Sequence, residues 1–172
     1  MRKRILGFAA LAMTSAVMAQ KAMDYTETLR GGGFKYCAPM VQKVATWFVE
    51  EGGSIGLWKK VDADARTGLL LLARQYRDGV MLATVTGIKI GDGGCDVHFT
   101  QTMQMTGSCA SVRESTFKDW KYFGDAGSQP FYEDPTSSNA QVTLVTAGSG
   151  CLIQKSGVLF YSKGDVEAAA KP

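Results

Sequence analysis

The chain has 172 residues, with 19 Lys+Arg against 16 Asp+Glu, one histidine and four cysteines. Three of those cations are Arg2, Lys3 and Arg4, and without them the balance is 16 against 16. A neutral chain with no basic run lacks the electrostatic footprint of a nucleic-acid binder, so no nucleic-acid partner is expected.

Met1–Arg4 is basic, Ile5–Met13 is apolar, and Val17 and Ala19 are small residues placed three and one before a cut at Ala19–Gln20. That is the layout of a secretory signal peptide over residues 1–19. The apolar run is well short of the roughly 20 residues that cross a bilayer, and no stable membrane insertion of the mature chain is expected. The 153 residues that remain of the 172 fit one domain with its own core. A periodic repeat is not evident in them.

Residues 20–36 are polar and end in Gly31-Gly32-Gly33, and they read as a flexible N-terminal arm with one helical turn at Asp24–Leu29. Pro39 opens a helix in which Met40, Val41, Val44, Ala45, Phe48 and Val49 share one face, with Gly52-Gly53 as its stop. Trp47 lies off that face. Ser54–Gly68 reads as a solvated loop around Trp58. Its Asp62 and Asp64 lack the further acidic ligands that a hard cation needs.

Three antiparallel strands are predicted next, over 69–76, 80–90 and 95–106, with Asp78-Gly79 and Gly91–Gly94 as turns. The third carries the clearest pattern in the chain. Cys95, Val97, Phe99, Met103 and Met105 alternate with Asp96, His98, Thr100, Thr102 and Gln104, as in a strand with one dry and one wet face. A short helix is predicted over 111–121, with Ser111 and Glu114 spaced as a capping box. Tyr122–Asn139 shows no periodicity and holds Pro130 and Pro135, so it reads as a long loop. Strands over 140–147 and 151–161 close the domain, joined at Gly148-Ser149-Gly150. Residues 164–172 read as a flexible C-terminal tail.

Four cysteines in an exported chain read as two disulfides. Cys95 and Cys109 stand at the two ends of one strand, about 45 Å apart if the chain is extended at about 3.3 Å per residue, so that pairing is disfavoured. Two remain open: Cys37–Cys95 with Cys109–Cys151, or Cys37–Cys109 with Cys95–Cys151. Close Cys-x-x-Cys pairs, the mark of a zinc site, are lacking, and no metal or cofactor is expected.

The predicted whole is a single α+β domain over 37–163. An antiparallel sheet of about five strands, a meander plus a hairpin, is packed by one or two helices.

His98 is the only group that titrates near neutrality without help, and Asp96 and Thr100 flank it on the same face. As a catalytic pair His98 and Asp96 are weak candidates, because neighbours two apart on a strand stand roughly 6.5–7 Å apart at the backbone. Ser149 lacks the strand-turn-helix setting of an activated serine. The carboxylate pairs Glu50-Glu51 and Glu133-Asp134 show no spacing that defines glycosidase chemistry. The aromatic residues Trp120, Tyr122, Phe123, Phe131 and Tyr132 are the candidate partner-binding set. The expectation is a non-enzymatic, periplasmic or secreted binding protein, inhibitor-like in profile, whose partner is a protein or envelope component. The alternatives are a small hydrolase using His98 and a structural envelope component.

Overall fold

The computed structural model describes residues 24–48, 54–60, 66–76 and 79–170. The expected signal peptide at 1–19, Val49, Glu50, Glu51, Gly52, Gly53, Asp62, Asp64 and Asp78 lie outside the described residues. Within them the chain runs α1 (Tyr25–Gly31), α2 (Ala38–Thr46), β1 (Ser54–Lys60), β2 (Thr67–Tyr76), β3 (Gly79–Lys89), β4 (Cys95–Thr106), α3 (Cys109–Thr116), β5 (Lys121–Ala126), β6 (Gln129–Asp134), β7 (Ser137–Ala147), β8 (Gly150–Tyr161) and α4 (Lys163–Ala169). All eight strands form one antiparallel sheet in the order β1-β2-β3-β4-β8-β7-β6-β5. The domain is mostly sheet, with helices on one face.

The order has an internal logic. Helix α2 leads into the meander β1–β4, and α3 leads into the meander β5–β8. The fourth strands of the two meanders, β4 and β8, pair at the centre. Each half is tied by its own bridge, Cys37–Cys95 in the first and Cys109–Cys151 in the second. Each bridge joins the start of the helix to the start of the fourth strand. Laying Cys95 on Cys151 puts Thr100 on Ser156, and those two residues are partners across the β4–β8 seam, as a two-fold axis requires. The repeat escapes the sequence because the halves share an arrangement of elements and little residue pattern.

The core of the first half lies between α1, α2 and α4 and the sheet. Met40, Val41, Val44, Ala45 and Phe48 of α2 and its C-terminal turn are buried, as their spacing predicts, against Leu70, Leu72, Met81, Val85, Val97 and Phe99. Phe34 lies fully buried on a floor with no side chains. Gly68 and Gly87 are Cα partners on β2 and β3, and a Cβ on Gly68 would stand 2.5 Å from Phe34 Cγ. The second core is smaller: Val112 and Phe117 of the α3 region pack on Val142, Leu144, Cys151 and Ile153.

Several expectations change. The sheet has eight strands and not about five, and four helices accompany it where one or two were expected. Residues 24–36, expected as a flexible arm with one helical turn at Asp24–Leu29, hold that turn as α1, and its Tyr25 and Leu29 are buried one turn apart, so the segment is packed on the core. Asp24 caps that helix by accepting from the Thr26 N–H at 2.8 Å, and the Tyr25 N–H donates to Gln42 Oε1 of α2 at 2.6 Å. The end of the chain, expected as a flexible tail from 164, carries α4. Ser162 and Asp165 close a capping box there, and Val166 is buried. The Ser54–Gly68 loop contains edge strand β1, where Gly56, Lys59 and Lys60 mask a strand pattern. The cap of α3 is Ser108, which accepts from the Ser111 N–H at 3.2 Å, so the helix begins earlier than the Ser111-Glu114 spacing predicts.

The long loop at 122–139 is largely the hairpin β5–β6 and the start of β7. Strand β5 is exposed along nearly its whole length and β6 is half-buried throughout. With neither face dry there is no alternation to read, and a bulge between Tyr122 and Gly124 breaks the period again.

Candidate functional site

The helices cover one face of the sheet, and the register identifies what lies on the other. One row of Cα partners crosses seven strands as Leu71, Thr84, Thr100, Ser156, Gln141, Glu133 and Lys121. The next runs Ala73, Leu82, Thr102, Gln154, Thr143 and Phe131. On the other side of the first row stand Leu69, Thr86, His98 and Val158, then Ile88, Asp96 and Phe160. This face is built of hydroxyls, amides and aliphatic groups. In these four rows only Asp96, Glu133 and Lys121 carry a formal charge. Several large apolar side chains on the same face stand open to solvent: Leu71 at 42%, Val80 at 46%, Leu82 at 56% and Phe160 at 67% exposure.

His98 is exposed on this face, as the alternation predicts. Its partners across the strands are Thr86 and Val158, neither of them acidic. Asp96 lies two residues back on the same strand, opposite Ile88 and Phe160. Among the described residues no third His, Cys, Asp or Glu joins the pair in a cluster.

Beside His98 the sheet opens. Strand β7 pairs with β8 only as far as Ala140 and Gly157, so Val158–Tyr161 pair with β4 alone. The parting leaves a hollow of about 480 Å³ walled by His98, Thr100, Asn139, Gln141, Ser156 and Phe160. Gly157 makes the close approach possible, since a Cβ there would stand 2.5 Å from the Asn139 carbonyl oxygen and 2.6 Å from Phe99 Cζ.

The candidate aromatic set divides between places. Trp120 is half-buried at the edge of the second core. It meets Phe117 edge to face at 5.2 Å and carries the Lys155 ammonium 5.0 Å from its ring centre. Tyr132 packs on the same core beneath the Arg113 guanidinium, 4.6 Å from the ring centre. Arg113 also donates to the carbonyls of Phe117 and Trp120. Phe131 belongs to the uncovered face. Tyr122 and Phe123, 55% and 62% exposed, stand on the outermost strand β5. The Tyr122 hydroxyl donates to Asp125 Oδ2 at 2.6 Å, and that bond, with the nearby carboxylate charge, raises its pKa.

Leu71, Val80, Leu82, Asn139, Gln141 and Phe160 belong to this face and are not among the residues that the sequence marks as candidates. A signal for the first existed: four consecutive leucines at 69–72 must put leucine on both faces of a strand, and only one face is covered by helices.

On the helix face, a polar divide separates the two cores. Lys155 Nζ stands 3.8 Å from Asp134 Oδ2, and Thr136 donates to Asp134 Oδ1 from both its N–H, at 2.9 Å, and its hydroxyl, at 2.6 Å. Burial pushes the Asp134 carboxyl pKa up, but the Thr136 hydrogen bonds and the Lys155 charge outweigh it, and the net shift is downward. A folded pKa below the ordinary value stabilises the fold above the ordinary carboxylate range and ceases to do so as pH falls through the folded value. Asp134→Asn is expected to cost about 1 kcal/mol at pH 7 and nothing extra at pH 2, read from urea unfolding at both pH values. A loss equal at the two pH values would show that the charge is idle.

All four cysteines are bridged, which fits an oxidising, exported compartment. Among the described residues no helix is long and apolar enough to cross a membrane. No protein-family model, curated protein or solved structure matches the chain.

Proposed function

We propose that this is an exported, non-enzymatic binding protein, periplasmic or secreted after loss of its first 19 residues, that captures a protein or envelope component on the uncovered face of its sheet. The observation that carries the reading is the gathering of Leu71, Val80 and Leu82, with Phe160 further along, on one face that no helix among the described residues covers. Exposed apolar residues scattered singly need no explanation, but a set of them on one rigid face is the anatomy of a contact surface. A sheet is also a stiff platform, so little ordering is lost when a partner docks. Phe131 lies on the same face, whereas Tyr122 pairs with Tyr132 on the helix side; Phe123, beside it at the bulge of the outer strand, adds an exposed aromatic ring at the edge.

The test is capture of partners from envelope and culture extracts by the oxidised protein, read by mass spectrometry. A stoichiometric partner is expected, with Leu82→Asp lowering its retention at least about 10-fold while the thermal midpoint stays unchanged. Leu82 points to solvent, so the charge costs the fold little. Capture that survives both Leu82→Asp and Phe123→Ala would remove this face and edge from the reading.

A further inference from the structure

We infer that the hollow between β4, β8 and β7 is a saccharide site that takes a neutral sugar ring. The inference deepens the binding reading by assigning a ligand class to one part of the uncovered face. It uses a different part of that face from the Leu71, Val80 and Leu82 patch.

The chemistry of the walls carries it. Thr100, Ser156, Asn139, Gln141 and His98 bring two hydroxyls, two carboxamides and an imidazole to one depression. Among the described residues no side-chain hydrogen bond ties up any of the five, and they belong to three different strands that the register holds side by side. Amides and hydroxyls each donate and accept, which matches the vicinal hydroxyls of a sugar. No wall residue is an Asp, Glu, Lys or Arg, so nothing there would select a phosphate, a sulfate or an amine.

Phe160 supplies the remaining part. It is the most exposed large apolar residue among those described, and it stands at the rim of the hollow. Its negative π-face suits the weakly positive C–H face of a pyranose, while the opposite edge of the ring turns its hydroxyls to the polar wall. The volume of about 480 Å³ lies within the range of small-ligand sites. The shape is fixed by the parting of β7 from β8 at Gly157, and so it is present before any ligand arrives.

The experiment is NMR titration of the oxidised full chain with neutral trisaccharides of glucose, mannose and N-acetylglucosamine, with a sulfated trisaccharide as control. Saturable shifts at His98, Gln141 and Ser156 are expected with at least one neutral probe and not with the sulfated one. Phe160→Ala and Asn139→Ala should each weaken that binding at least about 10-fold with the thermal midpoint unchanged. A pull-down on insoluble chitin or cellulose separates a polymer from a free saccharide as the source, and either result fits the inference.

The inference fails if no neutral probe saturates up to about 20 mM, a range covering affinities weaker than millimolar, or if both variants bind as well as the parent. The two readings part cleanly. Partner capture lost with Leu82→Asp but kept with Phe160→Ala, together with no sugar binding, would leave the binding reading standing and sink this one.

Discussion

Replacing Phe34 with alanine is expected to lower the unfolding free energy by about 4–5 kcal/mol, the upper end of what a buried phenylalanine costs. The reason lies under the ring. Phe34 is fully buried, and the strands beneath it offer Gly68 and Gly87, which have no side chain to move into the vacated space. Val41 of α2 rests on Gly87 beside the ring. The cavity therefore cannot collapse cheaply, and cavity volume is what separates costly truncations from mild ones.

The converse substitution tests the same geometry. An alanine at Gly68 would place its Cβ 2.5 to 2.9 Å from three atoms of the ring, and one at Gly87 would meet Val41 Cγ2 at 2.5 Å. Either should cost about 1–3 kcal/mol through overpacking, although alanine in a strand is otherwise easier to order than glycine. In the Phe34→Leu background the ring is gone, and Gly68→Ala should become neutral or stabilising. A coupling of at least about 1 kcal/mol in that double-mutant cycle, from urea unfolding of the four proteins, is the expected result. Additivity within about 0.5 kcal/mol would mean that the ring does not rest on the glycines.

Phe34 also shows where the sequence could and could not be read. It follows Gly31-Gly32-Gly33 in a polar stretch, and nothing local marks it as core; its burial comes from two glycines that lie 34 and 53 residues further on. In contrast, β4 was legible because its residue types alternate along the strand and its helix side is buried at Cys95, Val97 and Phe99, and α2 because its buried face repeats at the helical period. The uncovered face was half legible. Alternation in β4 placed His98 and its polar neighbours correctly, but only the register of β8 and β7 puts Ser156, Gln141 and Asn139 next to them. The hairpin β5–β6 was hidden because an edge pair with no dry face writes no pattern. The sequence allows two disulfide pairings, since spacing alone carries no information on which helix start meets which fourth strand.

Removing the two bridges is the second large effect. In the chain-entropy account, closing loops with separations of 58 and 42 residues stabilises by about 4 kcal/mol each, because the dependence on length is logarithmic. The surroundings then decide how the losses are felt. Cys37 and Cys95 are fully buried in the larger core, between α2 and β4, where many neighbours still hold the half together after Cys37→Ala/Cys95→Ala. Cys109→Ala/Cys151→Ala acts on a half with six residues in its buried cluster and with β5 at the exposed edge of the sheet.

Neither bridge crosses the β4–β8 seam, so each loss should first appear in its own half. Amide exchange in the second variant is expected to rise in β5, β6 and α3 while β2 and β3 stay protected. With both bridges reduced the sum is about 8 kcal/mol, comparable with the whole stability of an ordinary domain, and the chain should be largely unfolded at 25 °C. Urea unfolding of the oxidised protein, the two double variants and the reduced chain checks all of this. A reduced protein that unfolds within about 1 kcal/mol of the oxidised one would show that the fold does not depend on its bridges.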